Sequence, residues 1–250
     1  MKKNIIFGLH SCLSVVENRP EDIINIYLGN YVEKDKIKKI TKELTFLGIN
    51  YKEVSKKMLD DLSSDGNHQG IVIENKSKKL KLLEDYYSNF KSPKQSFLML
   101  ILDQISDPHN LGACLRSALA FGVDCVLITQ NKSAGISDTV SKVSCGADQI
   151  LDIYTCVNLA SAIEKLKSYG IWFYGADQEA SDSIFGIKPD HPMAVVMGSE
   201  GKGIRRLTRE KMDFMVKIPM SKKIESLNVS VASGVVLSHI MANRGNKDLS

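Results

Sequence analysis

Apolar and polar positions recur along this chain with two different periods, and each change of period marks an element boundary. Ile37, Ile40, Leu44 and Leu47 follow one another at intervals of three, four and three, which predicts a helix over 35–47 that Gly48 ends. Around it the pattern predicts a short helix at 8–16, a buried strand at 23–28, a strand at 51–54, a short helix at 56–62 and an Ile-Val-Ile strand at 70–74. Residues 1–75 therefore read as a small α/β domain. The rhythm breaks over 75–96, where lysines and aromatic residues mix and Ser92-Pro93-Lys94 closes the segment. Residues 76–95 are expected to be a basic linker containing an amphipathic helix, with a second reading in which Tyr86, Tyr87 and Phe90 cap a core. From Phe97 strands are predicted at 97–102, 125–129, 151–154, 171–174, 194–197 and 215–218. Helices are predicted between and after them, at 111–121, 138–145, 159–169, 205–212 and 229–242. Apolar strands alternating with amphipathic helices predict an α/β domain over 96–250 whose mostly parallel sheet is covered on both faces.

Composition changes this picture little. The chain has 250 residues, 43% hydrophobic and 25% charged, which excludes a disordered, collagen-like or disulfide-stapled protein. No apolar run reaches the roughly 18 residues of a membrane span, and the start is too short in apolar residues for a secretory signal, so no membrane partner and a cytoplasmic location are expected. Five cysteines without a C-x-x-C pair read as free thiols, and the scattered histidines give no metal-binding spacing, so no metal is expected.

Charge is more informative by position than by sum. The net charge is +4, yet residues 1–75 and 96–250 are each balanced, so the excess lies in 76–95, with six lysines against Glu84 and Asp85. Within the second block, 200–223 holds eight basic and three acidic residues. Lys202, Arg205, Arg206 and Arg209 lie in that stretch, a pattern that suits an anionic partner but also fits a solvated face.

Ligands of an open α/β sheet sit beyond the carboxyl ends of the strands, which directs attention to three loops. After 97–102 comes Asp107-Pro108-His109-Asn110-Leu111-Gly112, a turn and helix cap, followed by Arg116-Ser117, whose guanidinium could return towards the loop. After 194–197 comes Gly198-Ser199-Glu200-Gly201-Lys202-Gly203, which permits positive φ and close ligand approach. Its G-x-x-G-x-G order matches neither the dinucleotide nor the Walker signature. After 215–218 come Pro219-Met220 and then Ser226-Leu227-Asn228-Val229 before an apolar helix. Helix capping alone would account for Ser226 or Asn228.

Taken together, the stretches 110–117, 198–203, 218–220 and 226–232 resemble the signature motifs of the SPOUT superfamily, specifically its TrmH-like RNA ribose 2′-O-methyltransferases. Gly8-Leu9-His10 and 65–70 resemble the RNA substrate-binding domain of the branch that methylates a guanosine of 23S ribosomal RNA. The resemblance implies a trefoil knot in 96–250, S-adenosyl-L-methionine as cofactor, 23S rRNA as partner and a homodimer. It places the cofactor near Gly198, Ile218, Leu227 and Thr129. It maps Asn110, Arg116, Glu200, Ser226 and Asn228 onto active-site positions, with Asn110 and Glu200 orienting Arg116. RNA is expected along Lys202, Arg205, Arg206 and Arg209. Lys222-Lys223 departs from the small residues usual there. A methyltransferase acting on another rRNA site or on tRNA, and a noncatalytic RNA-binding assembly protein, are the alternatives.

Overall fold

The computed structural model describes residues 3–76, 80–88, 93–201, 203–221 and 223–244. In chain order the elements are β1 Lys3–Phe7, α1 Leu9–Asn18, β2 Ile23–Gly29, α2 Lys34–Phe46, β3 Lys52–Val54, α3 Lys56–Ser63 and β4 Ile71–Lys76. They continue with β5 Lys81–Leu82, α4 Leu83–Ser88, β6 Leu98–Leu102, α5 Pro108–Ala120, β7 Cys125–Thr129, α6 Asp138–Val143, α7 Ala147–Ile150 and β8 Asp152–Cys156. The last are α8 Leu159–Lys167, β9 Trp172–Ala176, β10 Asp182–Ser183, β11 Met193–Met197, α9 Arg206–Arg209, β12 Phe214–Lys217 and α10 Val229–Asn243. They form two compact units, Met1–Lys79 with Ile136–Ile150, and Leu80–Gly135 with Leu151–Ser250.

The first unit is built on a four-stranded sheet in the order β1-β4-β2-β3, with β4 antiparallel to both neighbours and β3 parallel to β2. β1 was not foreseen: its Ile5-Ile6-Phe7 run is too short to register as a strand by period alone, and it is fixed by pairing with β4. One face of the sheet packs Ile6, Ile26, Leu28, Ile71 and Ile73 against Val15 and Val16 of α1 and Ile40 and Leu44 of α2. The helical spacing of α2 thus corresponds to a buried stripe. The expected helix over 138–145 stops at Val143, because Cys145 and Gly146 both adopt positive φ, 54° and 85°, and turn the chain into α7. Both helices belong to the first unit although they lie between two strands of the second.

The second unit is an eight-stranded sheet ordered β10-β12-β9-β11-β6-β7-β8-β5, and every pairing in it is parallel. β6, β7 and β11 are buried along their whole length, as strands covered on both faces must be. Met99, Ile101, Leu127, Phe173 and Val196 share a core with Leu159, Ile163 and Leu166 of α8. Lys81–Leu82 adds an edge strand to β8, while Leu83 is buried and Tyr86 and Tyr87 pack against that same core. Of the two readings open for these tyrosines the structure realises the core cap; Phe90 lies outside the described residues.

All eight strands point the same way, so their carboxyl ends share one edge of the sheet. The order there reverses direction between β6 and β11: the chain runs outward from β6 through β7 to β8, then returns to build β9 and β11 on the other side. That crevice is where an open parallel sheet offers a binding site.

Candidate active site

Three loops meet at that edge. The first leaves β6 and enters α5, whose amino end is capped by Asp107 Oδ1 accepting from His109 N at 2.9 Å, with Pro108 at the first helical position. The second, 198–204, folds back on itself: Gly203 N donates to Ser199 O at 2.9 Å, and the two residues form an isolated bridge. A Cβ on Gly198 would lie 2.1 Å from Gly203 C and 2.4 Å from Ile204 N, so only glycine closes this ring. Gly201 and Gly203 have φ of 76° and 60°, the left-handed region glycine enters without strain. The third loop ends at Asn228, the N-cap of α10, whose Oδ1 accepts from Ser230 N at 2.9 Å.

The side chain of Asn228 also joins the loops to one another. Its Nδ2 donates to Asn110 Oδ1 at 2.9 Å and to Glu200 Oε1. One carboxamide therefore caps a helix, holds the first loop and binds a carboxylate of the second. Capping was the plain account of Asn228, and it accounts for the contacts of Oδ1 with Ser230 N and Oγ but not for those of Nδ2.

Beside this junction is a cavity of about 290 Å³. Gly198, Ser199, Glu200, Gly201 and Gly203 form one wall, and Ile218, Met220, Ser226, Leu227 and Val229 form another. Asp177, Gln178 and Glu179, directly after β9, complete it together with Glu225 and Arg209. Its size is close to the lower end of small-molecule sites, roughly 300–1,000 Å³. The lining suits a cationic nucleoside derivative: aliphatic walls for an aromatic ring, backbone of the glycine ring for polar edges, and carboxylates for a sulfonium or ammonium charge. S-adenosylmethionine carries all of these features, and Gly201, which has no atom within 4 Å of where a Cβ would stand, presents bare backbone to the cavity.

Of the expected cofactor residues, Gly198, Ile218 and Leu227 line this cavity and Thr129 does not. Thr129 ends β7, two strands from β11, and lines a separate cavity with Gln130, Ser133 and Thr155. Its hydroxyl is occupied by Ser133 Oγ at 2.7 Å and by Gln104 N at 3.0 Å. Asn110, Glu200 and Asn228 are brought together, and Ser226 lines the cavity. Arg116 is exposed in the third turn of α5. Six residues of helix place it about 9 Å along the axis from Asn110 and a third of a turn around it. Asn110 and Glu200 therefore bind Asn228, where the expectation had them orienting Arg116.

The basic cluster is more internally paired than its sequence suggests. Arg205 grips Asp103, with Nε 3.0 Å from Oδ2 and an Nη 2.7 Å from Oδ1. Arg209 pairs with Asp177 and lies 3.8 Å from Glu179. Arg206 pairs with Glu210 at 2.7 Å on an exposed helical face, where such a pair is weak. Lys202 and Lys222 lie outside the described residues. The helix predicted at 205–212 is only α9, four residues long: Arg205 at ψ 145° precedes its first turn, and after Arg209 the chain passes through a turn at Glu210 and Lys211 to β12.

Sequence reasoning missed Asp177, Glu179, Glu225 and Asp103. The first two follow an apolar strand and could have been found by extending the same loop rule to β9. Asp103 had a signal too, an acidic residue immediately after a fully apolar strand. Cys114, between α5 and α10, has its thiol pKa pushed up to about 11 by burial, which leaves it protonated and unreactive at neutral pH.

Comparison with known proteins agrees with the motifs. The model of the SpoU rRNA Methylase family matches residues 97–238, and that of RNA 2′-O ribose methyltransferase substrate binding matches residues 5–80. The chain is 40% identical over 244 residues to the 23S rRNA (guanosine-2′-O-)-methyltransferase RlmB of Vibrio parahaemolyticus, covering 98% of each chain. It is 41% identical, with the same coverage, to that of Vibrio vulnificus. Among solved structures, the SpoU methyltransferase AviRb from Streptomyces viridochromogenes in complex with AdoMet superposes with a TM-score of 0.77 at 19% identity, covering 98% of this chain and 91% of that one.

Proposed function

This chain belongs to the SpoU rRNA methylase family, and from that premise we propose that it methylates the ribose 2′-hydroxyl of a guanosine in 23S rRNA with S-adenosyl-L-methionine as methyl donor. The observation that carries the reading is the Asn228 junction, which draws all three motif loops to the rim of one nucleoside-sized cavity. Similarity to RlmB over nearly the whole length supports the choice of 23S rRNA over tRNA. Ribosomal RNA as substrate puts the enzyme in the cytoplasm, and no helix among the described residues is long and apolar enough to cross a membrane.

The cofactor supplies an electrophilic methyl group, and the protein's task is to hold an attacking oxygen in line with it. The glycine ring, Ile218 and Leu227 hold the donor, while Glu200 and Ser226 border the cavity where the ribose is positioned. Arg116 meets the phosphate or ribose of the target and stabilises the developing alkoxide; a guanidinium with a pKa above about 12 is a poor proton acceptor. Exposure of Arg116 fits a role towards a large ligand.

The same reading includes the trefoil knot that the motifs imply and a homodimer. Supporting the dimer is α10, which is apolar on its outward side as well: Val231 is 51% exposed and Val235 36%, beside Phe185 at 65%. The small residues Ser230, Gly234 and Ser238 on that side let a second helix approach closely.

The deciding experiment maps ribose methylations in 23S rRNA from cells with and without the protein, then adds purified protein and cofactor to the unmethylated RNA. One guanosine should lose and regain its methyl group. A methyl pattern unchanged by removal of the protein, together with cofactor binding but no transfer, would leave the noncatalytic assembly role.

A further inference from the structure

Asp103 is the first residue after β6, and its side chain is wholly buried in the second unit. A buried carboxylate needs strong partners, and this one draws them from both ends of the glycine ring. At the entrance, Asp103 N donates to Met197 O at 2.9 Å, fixing the residue that precedes Gly198. At the exit, Arg205 clasps the carboxylate through Nε and an Nη, and Thr208 Oγ1 donates to Oδ2 at 3.3 Å. The ring 198–204 therefore lies between two attachments to a single residue.

We infer that Arg205 is a positioning residue for the cofactor cradle, acting through Asp103 to hold the glycine ring closed, and is not an RNA-contacting residue. Three observations point the same way. The edge of the planar fork that carries Nε and one Nη, the edge a side-on bidentate phosphate contact would use, is already spent on a carboxylate. Arg205 is absent from the cavity lining, so it touches no ligand there and acts only through the loop it anchors. The ring it anchors is closed by direct approach of the Gly198 backbone to that of Gly203 and Ile204, so a shift of Arg205, the next residue, would open it. Lysine would not replace it, because a point charge cannot span both carboxylate oxygens as the fork does.

The inference rests on the reading that the cradle takes S-adenosylmethionine, and the test separates the two. Cofactor affinity is measured by calorimetry on the full-length protein, and RNA affinity by fluorescence anisotropy of a 23S rRNA fragment across a salt series. Wild type that fails to bind the cofactor sinks the functional reading itself. With wild type binding, Arg205→Gln and Arg205→Lys should each weaken the cofactor at least tenfold while the slope of log K for RNA against log salt stays unchanged. Thr208→Val, a milder change, should weaken the cofactor about threefold and keeps the test available if the arginine variants do not fold. In a double-mutant cycle, Asp103→Asn should cost little further cofactor affinity once Arg205 is Gln, because the two act as one unit. Unchanged cofactor affinity in Arg205→Gln, or a salt slope reduced by about one phosphate contact with cofactor affinity intact, overturns the inference.

Discussion

The glycine ring yields the sharpest prediction, because two of its glycines are required for different physical reasons. In Gly198→Ala the new methyl carbon would sit 2.1 Å from Gly203 C and 2.2 Å from Gly203 O. Ordinary carbon contacts are about 3.5–4.0 Å, so the strands of the ring must separate by well over 1 Å. The obstructing atoms are backbone, which cannot rotate aside as a side chain would. Forced insertion into a packed site costs about 1–3 kcal/mol. If the ring relieves that cost by opening, the closed form needed for the cofactor loses the same amount, which is a weakening between about fivefold and 150-fold. Gly201→Ala meets no atom within 4 Å, and its cost is only that of holding alanine at φ 76°, about 1 kcal/mol, or roughly fivefold. Calorimetric titration of both variants with S-adenosylmethionine and with its demethylated product tests the order. Both ligands should be affected alike, since the ring holds the nucleoside rather than the methyl group. Gly198→Ala binding as well as Gly201→Ala would refute the closed-ring argument.

Asn228→Ala removes the α10 cap and two side-chain bonds and should cost about 2 kcal/mol, lowering Tm by about 4–8 °C; Asn228→Asp keeps the capping oxygen but faces Glu200 with a like charge, so it should lose cofactor affinity more than stability in the same thermal scan and titration. Arg116→Ala should lower kcat at least a hundredfold in a tritiated-methyl transfer assay with cofactor affinity unchanged, and full retained activity would remove Arg116 from the chemistry. Val235→Glu places a charge on the apolar face of α10 and should convert a dimer to a monomer in light scattering. Cys114 and Cys156, raised by burial to about 11 and about 12, should resist alkylation in the native protein at pH 8 and react fully in denaturant. Because their folded pKa values exceed the unfolded thiol value of about 8.5, their contribution to stability is complete below that pH and is lost as pH rises towards 12; urea midpoints that rise over this range would contradict it.

The period of the hydrophobic pattern located the strands of the second unit, because buried parallel strands are continuous apolar runs. It could not locate β5 or β10, each of two residues held by pairing with a single neighbour, β8 and β12; β5 falls within the stretch expected to be a linker. Nor could it find the break after Val143, where a cysteine adopts a conformation usually reserved for glycine. The loops were legible through their glycines, prolines and caps. Which side chains meet was not. The cluster Arg205, Arg206 and Arg209 is conspicuous as a run of charge, and Glu210 one turn beyond Arg206 is a local partner, but the partners of the other two lie beyond the reach of local pattern, Asp103 being 102 residues upstream of Arg205 and Asp177 32 upstream of Arg209. The partners of Asn110 and Glu200 and the cavity lined by Thr129 differ from expectation for a related reason: proximity to a motif in sequence does not fix the face of a helix or the strand over which a side chain sits. Buried carboxylates such as Asp103 are the better guide, since an acidic residue inside a core obliges a cation to come to it.

The Asn228 junction also bears on when the active site comes into being. Its bond to Asn110 spans 118 residues, and closing so long a loop carries an entropic cost that local contacts must first offset. On the ribosome the chain emerges at about 5–20 residues per second, so Asn110 precedes its partner by several seconds. Throughout that interval β6 and α5 can form while the cradle has neither its third loop nor its cap. The junction of the three loops is therefore assembled only once α10 has been made, long after the strand and helix that carry its first residue.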